Sequence, residues 1–207
     1  MKKLMFAAVA ALTLGFATTA KADSDTWKWS PIGLGIVAPA QIPFTDVHVY
    51  GLRLGGILGW SENVMGLDCG LANVADGVEY ALQAGVFNVV KGDFGGVQVG
   101  GINYNGAIAG GLQVGLGNWT ALNFYGVQVG AVNVEQRLLE GLAIGGINWA
   151  DTVEGGQVGV INLANEVEGC QIGVINACDE MHGIQIGAIN LITTSCVPAL
   201  PIVNVWF

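Results

Sequence analysis

The chain has 207 residues, is 52% hydrophobic and only 11% charged, and carries 33 glycines and a formal net charge of −9. So acidic a balance excludes nucleic-acid binding, which needs clustered Lys and Arg. So few charges are also unusual for a chain whose whole surface faces water.

From the N-terminus, Met1-Lys2-Lys3 is a basic start, residues 4–16 are an apolar run, and Ala20-Lys21-Ala22 is a small-residue cleavage site. The run is too short and wrongly flanked for a retained span. Residues 1–22 therefore read as a secretory signal peptide and residues 23–207 as a single repeat-built β domain. Three of the seven basic residues (Lys2, Lys3, Lys21) fall in the leader, leaving Lys28, Arg53, Lys91 and Arg137 against sixteen acidic side chains, about −12. After the leader no apolar run reaches the length of a membrane helix.

Residues 31–40 are strand-like, and after them one phrase, Gly-x-Gln-x-Gly-x-x-Asn, returns every 14 or 15 residues. It is clearest at Gly126–Asn133, Gly155–Asn162, Gly169–Asn176 and Gly183–Asn190. Eleven copies are centred on Arg53, Asp68, Gln83, Gln98, Gln113, Gln128, Ala143, Gln157, Gln171, Gln185 and Ala199. A fixed short period means one structural unit copied in tandem. Within each copy, apolar and small residues alternate with period two over about eleven residues, which is a strand.

One face of that strand reads apolar-Gly-Gln-Gly-apolar, nearly a palindrome about the Gln. Identical units can pair antiparallel only if their pattern survives reversal. Pairing Gln98 with Gln113 places the turn at Asn105-Gly106, the strongest two-residue hairpin pair. Charges such as Asp76, Asp151, Glu166, Asp179 and Glu180 fall between the phrases. Together with residues 31–40 this predicts an all-β fold, an up-and-down antiparallel outer-membrane-type β-barrel of about twelve strands. The aromatic ending at Trp206-Phe207 is similar to the C-terminal strand of outer-membrane proteins.

The tandem phrases, the opening Gly51-Leu-Arg-Leu and the ending Pro201-Ile-Val-Asn resemble a family of surface-repeat proteins from Gram-negative bacteria, over residues 30–207. That resemblance implies export to the outer membrane or cell surface and no established activity. The barrel reading implies outer-membrane lipid and the barrel assembly machinery as partners, with no nucleic acid or nucleotide. Oligomeric state is not legible.

A rival architecture is a β-solenoid with one repeat per coil, Asn and Gln stacked in ladders. Exact copying and the lack of large insertions favour it. The barrel is also strained, because strict alternation points Tyr104, Trp119 and Trp149 inward, where a lipid-facing belt would want them outward.

Chemistry is sparse. His48 and His182 lack the partner spacing of a triad or a metal site. The glycine-rich phrases lack the lysine and following helix of a phosphate loop. Cys69, Cys170, Cys178 and Cys196 show no disulfide or zinc framework. No enzyme activity, cofactor or metal is expected. The candidate residues are those predicted to face a barrel lumen: Arg53, Asp68, Gln83, Gln98, Gln113, Gln128, Gln157, Gln171 and Gln185. Arg53 and Asp68 on consecutive strands would form a cross-strand ion pair. Two functions follow: a structural barrel or small passive pore, and a secreted or surface-attached solenoid used for adhesion or surface binding.

Overall fold

A computed structural model describes residues 29–38, 40–42, 47–195 and 198–206. Residues 1–28, which include the expected signal peptide, Cys196 and Phe207 lie outside the described residues. The fold is all-β, and it is a solenoid of about eleven turns, not a barrel.

Successive repeats lie parallel and in register. The long strand of one repeat, β8 (Phe94–Val99), pairs with β10 (Ala109–Thr120) so that Gly96 meets Gly111 and Gln98 meets Gln113. The same in-register pairing joins β4 (Val64–Cys69) to β6 (Glu79–Ala84) and β6 to β8. Each long strand is followed, after a corner, by a short one. These are β5 (Ala72–Ala75), β7 (Phe87–Val90) and β9 (Ile102–Asn105), which pair with one another in a second parallel sheet. From Phe124 the pairing is unbroken, so β11 (Phe124–Cys178) winds through several coils before β12 (Glu180–Ile192).

The parallel arrangement in place of the expected hairpins has a physical cause. A two-residue turn can only return a strand antiparallel to itself, whereas a parallel neighbour requires a crossover. In each repeat the short strand is that crossover. Asn105-Gly106 is accordingly a corner between coils, with Gly106 N–H donating to Val90 O at 2.8 Å, and not a hairpin. The palindrome does not reflect pairing: Phe94, four residues before its Gln, is buried, and Ile102, four after, is exposed.

The corner after the second glycine of the phrase also resets which way side chains point. Counting from the central Gln, positions −4 and 0 face inward on the long strand, and +5 and +7 face inward on the short one. Position −4 supplies the apolar column Val64, Phe94, Ala109, Phe124, Leu139, Val153, Val167 and Met181, all buried. Burying each large member is worth roughly 1.5–3 kcal/mol. Position 0 is the Gln column and position +5 the Asn column, both buried.

The first glycine of the phrase has one steric reason. Gly126 sits at φ +135°, where L side chains rarely go, and a Cβ there would run into the carbonyl of Gly111 on the preceding coil. Ala81 is the exception in that column, and it is not among the positive-φ residues.

The ends differ from the coils. At the start, β1 (Trp29–Val37) pairs parallel with β3 (His48–Ser61), and β2 (Ala40–Ile42) folds back antiparallel on β1. At the finish, β13 (Ala199–Trp206) lies antiparallel on β12, with Asn204 rather than Ala199 opposite Gln185. The copy centred on Ala199 is therefore a cap.

Candidate functional site

The nine residues expected to line a lumen lie instead within the coil, where they form a column of buried polar side chains. Gln98 Nε2 donates to Gln83 Oε1 at 2.7 Å, Gln113 to Gln98 at 2.9 Å and Gln128 to Gln113 at 2.8 Å. Lower down, Gln171 donates to Gln157 and Gln185 to Gln171, each at 2.8 Å. A buried amide left unpaired costs roughly 1–3 kcal/mol, so stacking like on like is what makes a glutamine core tolerable.

The asparagines form a second ladder, on the inner face of the short strands. Asn118 Nδ2 donates to Asn133 Oδ1 at 2.8 Å and also to the carbonyl of Val129 at 3.1 Å. The same double donation recurs at Asn133, Asn148, Asn162 and Asn176. The carbonyl accepted is the one just before each corner, so the Asn both links coils and satisfies the turn. Asn73 Oδ1 has no partner, because the residue facing it from the preceding coil is Gly59.

At the first coils the ladder becomes ionic. Arg53 Nε donates to Asp68 Oδ1 at 2.6 Å, its second nitrogen bonds Asp68 Oδ2, and a third donates to Val74 O at 2.8 Å. Gln83 Nε2 donates both to Asp68 Oδ2 at 3.1 Å and to Glu79 Oε2 at 2.7 Å. Burial, and then the neighbouring Asp68 charge, push the Glu79 carboxyl well above its usual range, while Arg53 pulls the other way. The cluster biases Glu79 towards its neutral form, beside the Arg53–Asp68 ion pair.

The ladder breaks at Ala143, where no side chain can donate to Gln128 Oε1, and that oxygen has no partner. Beside the break stands Glu135, fully buried, with both carboxyl oxygens unpaired. Burial raises its pKa to about 8. Burial likewise pushes the Cys178 thiol up to about 12, so it packs as a small hydrophobe rather than a nucleophile.

Most interior amides are engaged by one another, and the outside carries a different chemistry. Three outward positions on the long strand, −3, −1 and +1, make one flank, and +4 and +6 on the short strand make the other. Between the flanks runs a corner at +2 and +3. All three surfaces are largely apolar. Leu54, Leu67 and Leu82 lie on the first flank, Phe87, Ile102 and Ile147 on the second, and Leu71, Val86, Leu116, Val160 and Val174 on the corner. Leu116 is 73% exposed and Val160 53%.

The remaining edge, from +8 through −5 of the next coil, is polar. Asp76, Lys91, Asp93, Arg137, Asp151, Glu166, Asp179 and Glu180 fall there. Lys91 bonds Asp76 at 2.5 Å and lies 4.9 Å over the Trp60 ring, whose Nε1 donates to Asp76 Oδ2 at 2.9 Å. Lys91 holds the Asp76 carboxyl below its usual range. Among the described residues, every charged side chain that is not buried lies on this edge or at position −3 beside it (Glu140, Glu154, Glu168).

The barrel reading missed the Asn column, which the solenoid alternative had stacked in a ladder, and both readings missed Glu135 and the outward aromatics because the corner went unrecognised. The awkward inward placement of Tyr104, Trp119 and Trp149 under strict alternation was its signal. All three face outward. Comparison with protein-family models, with curated proteins and with solved structures finds no match.

Proposed function

We propose that this protein is an exported, surface-attached β-solenoid that acts by binding a surface, as an adhesive or structural element of the cell envelope, and performs no catalysis. One observation carries the reading: the interior Gln and Asn amides are largely engaged in their own ladders, while the outward flanks are apolar and repeated at each coil. Apolar surface of this extent on a water-facing chain marks an interaction site. The resemblance to Gram-negative surface-repeat proteins and the secretory leader support the same location.

The test is cosedimentation of the labelled purified chain with intact cells and with isolated outer-membrane fractions. Binding that is lost when Leu67 and Leu82 are both replaced by Ser is the expected result. A chain that stays in the supernatant, or a variant that binds as well as the parent, overturns the proposal.

A further inference from the structure

The exposed apolar surface is not a patch on one side. It wraps one flank, the corner and the other flank, and leaves polar only the charged edge and the Glu140, Glu154, Glu168 and His182 side chains beside it at position −3. A second copy, or a protein partner with a flat face, would cover one flank and leave the other in water. A fluid apolar medium covers all three at once.

Three further observations point to lipid. The first concerns the corner backbone. Turn amides ordinarily rely on water, but here they are paired from coil to coil. Gly101 and Ile102 N–H both donate to Val86 O at 2.9 Å, and Leu116 and Gly117 N–H donate to Gly101 O at 2.9 and 3.0 Å. The carbonyl just before each corner is taken by the Asn ladder, as Val129 O is by Asn118. Corner N–H groups paired in this way meet much of the condition that hydrocarbon imposes on a backbone.

The second is the aromatic placement. Positions −3 and +6 are the outward positions nearest the polar edge, and there stand Tyr50, Tyr80, Tyr125, Tyr104, Trp119 and Trp149, all exposed. Tyr and Trp with a polar tip and an apolar body gather at the level where lipid meets water.

The third is depth. From +6 to the corner is three residues and from −3 to the corner about five or six. At about 3.3 Å per residue this is roughly 10–20 Å. One leaflet of hydrocarbon is about 15 Å, half of a core about 30 Å thick.

We infer that the solenoid lies along a zwitterionic lipid surface as a wedge, its apolar corner and flanks in the acyl region of one leaflet and its acidic edge in water. It does not span. The net charge of the edge repels anionic headgroups, so binding is driven by apolar burial and not by charge. The open backbone edges lie at the two ends, and the C-terminal one is interrupted by Pro201, which has no N–H to leave unpaired, and by Ile202 at φ 73°. This inference rests on the surface-binding reading and names its partner.

The experiment floats the purified chain with protein-free phosphatidylcholine vesicles and follows tryptophan emission with lipids brominated at shallow or deep acyl positions. The chain is expected to float at both low and high salt, less well with vesicles containing anionic lipid. Shallow bromines are expected to quench more than deep ones, since Trp119 and Trp149 sit at the belt. The triple variant Leu116→Glu/Val160→Glu/Val174→Glu changes exposed side chains only. It is expected to keep the parent's circular dichroism and melting temperature while losing at least tenfold in partitioning. Asp179→Ala, on the polar edge, is expected to bind phosphatidylcholine as the parent does.

Equal flotation of the triple variant overturns the inference. So does a parent that fails to float while sedimenting as an oligomer, which would assign the corner to a second copy. Binding to cell envelopes without binding to protein-free vesicles overturns the lipid assignment and leaves surface binding standing; loss of both overturns both.

Discussion

Replacing Glu135 by Gln is expected to stabilise the protein, and increasingly so as pH rises. In the coil of Gln98, Asn105 lies seven residues after the Gln and donates to Gln98 Oε1 at 2.9 Å. Glu135 stands in the same relation to Gln128, whose Oε1 has no donor because the next position in the column is Ala143. An ionised carboxylate cannot supply that hydrogen, whereas a neutral acid or an amide can. In its own column Glu135 is paired with Thr120 on the coil before and stands next to Ala150 on the coil after, neither of them charged.

The folded pKa of about 8 lies above the ordinary 4.5, so the sign follows. Stability associated with Glu135 is fully present below about pH 4.5, falls as the unfolded chain loses its proton, and is lost by about pH 8. At about 1.4 kcal/mol per unit the total is on the order of 5 kcal/mol, with about 3 kcal/mol gone at pH 7. Equilibrium urea unfolding of the parent and Glu135→Gln at pH 5, 7 and 9, followed by circular dichroism, measures it. Glu79, also raised, contributes to both chains and cancels in the difference. The variant's advantage should be under about 1 kcal/mol at pH 5 and grow toward the full value at pH 9. An advantage that stays flat over this range, or a variant less stable than the parent at pH 9, refutes the reasoning.

Asn133→Ala removes the acceptor for Asn118 and the donor to Asn148 and Ile144 O. It should cost about 3–5 kcal/mol in the same urea experiment, given about 1–3 kcal/mol for each buried group left unpaired; Asn190→Ala, at the ladder's end, should cost less. Gly126→Ala forces an L side chain into φ +135° against the Gly111 carbonyl, and a loss of at least about 2 kcal/mol in thermal or urea unfolding is expected. Tyr104 and Trp119 are register partners on adjacent coils and both are exposed, so Tyr104→Cys/Trp119→Cys should oxidise to a disulfide readily, visible as a mobility shift under non-reducing electrophoresis. In an antiparallel barrel those two positions would sit near opposite rims, and failure to cross-link would count against parallel stacking.

Much of the repeat was legible. Its period, its strand character and the contact between Arg53 and Asp68 follow from spacing and alternation alone. The direction of pairing did not, because a parallel coil and a hairpin both place Gln98 against Gln113; only the neighbours of that pair differ, Gly96 meeting Gly111 in one and Gly115 in the other, and glycine stands at every one of those positions. The interior of the short strand was also hidden. Alternation carried through Gly100-Gly101 puts Asn103 outside and Tyr104 inside, and the corner there reverses both. Glu135 was invisible as a core residue for the same reason, since it is two positions beyond Asn133 on the far side of the same corner.

The coils do not all have the same circumference. Up to Asn148 the asparagines are 15 residues apart, and from there on 14. The missing residue is always taken from the charged edge: three residues separate the inward Thr120 from Phe124, and two separate Ala150 from Val153. Beyond the first coil, whose extra residue lies in the corner between Leu54 and Leu58, length thus varies along a single seam while everything that holds the stack together keeps its count. Foreign loops spliced into that seam would project in a straight row at intervals of about 5 Å, so the molecule already has the form of a graduated rod on which peptides could be mounted at chosen heights.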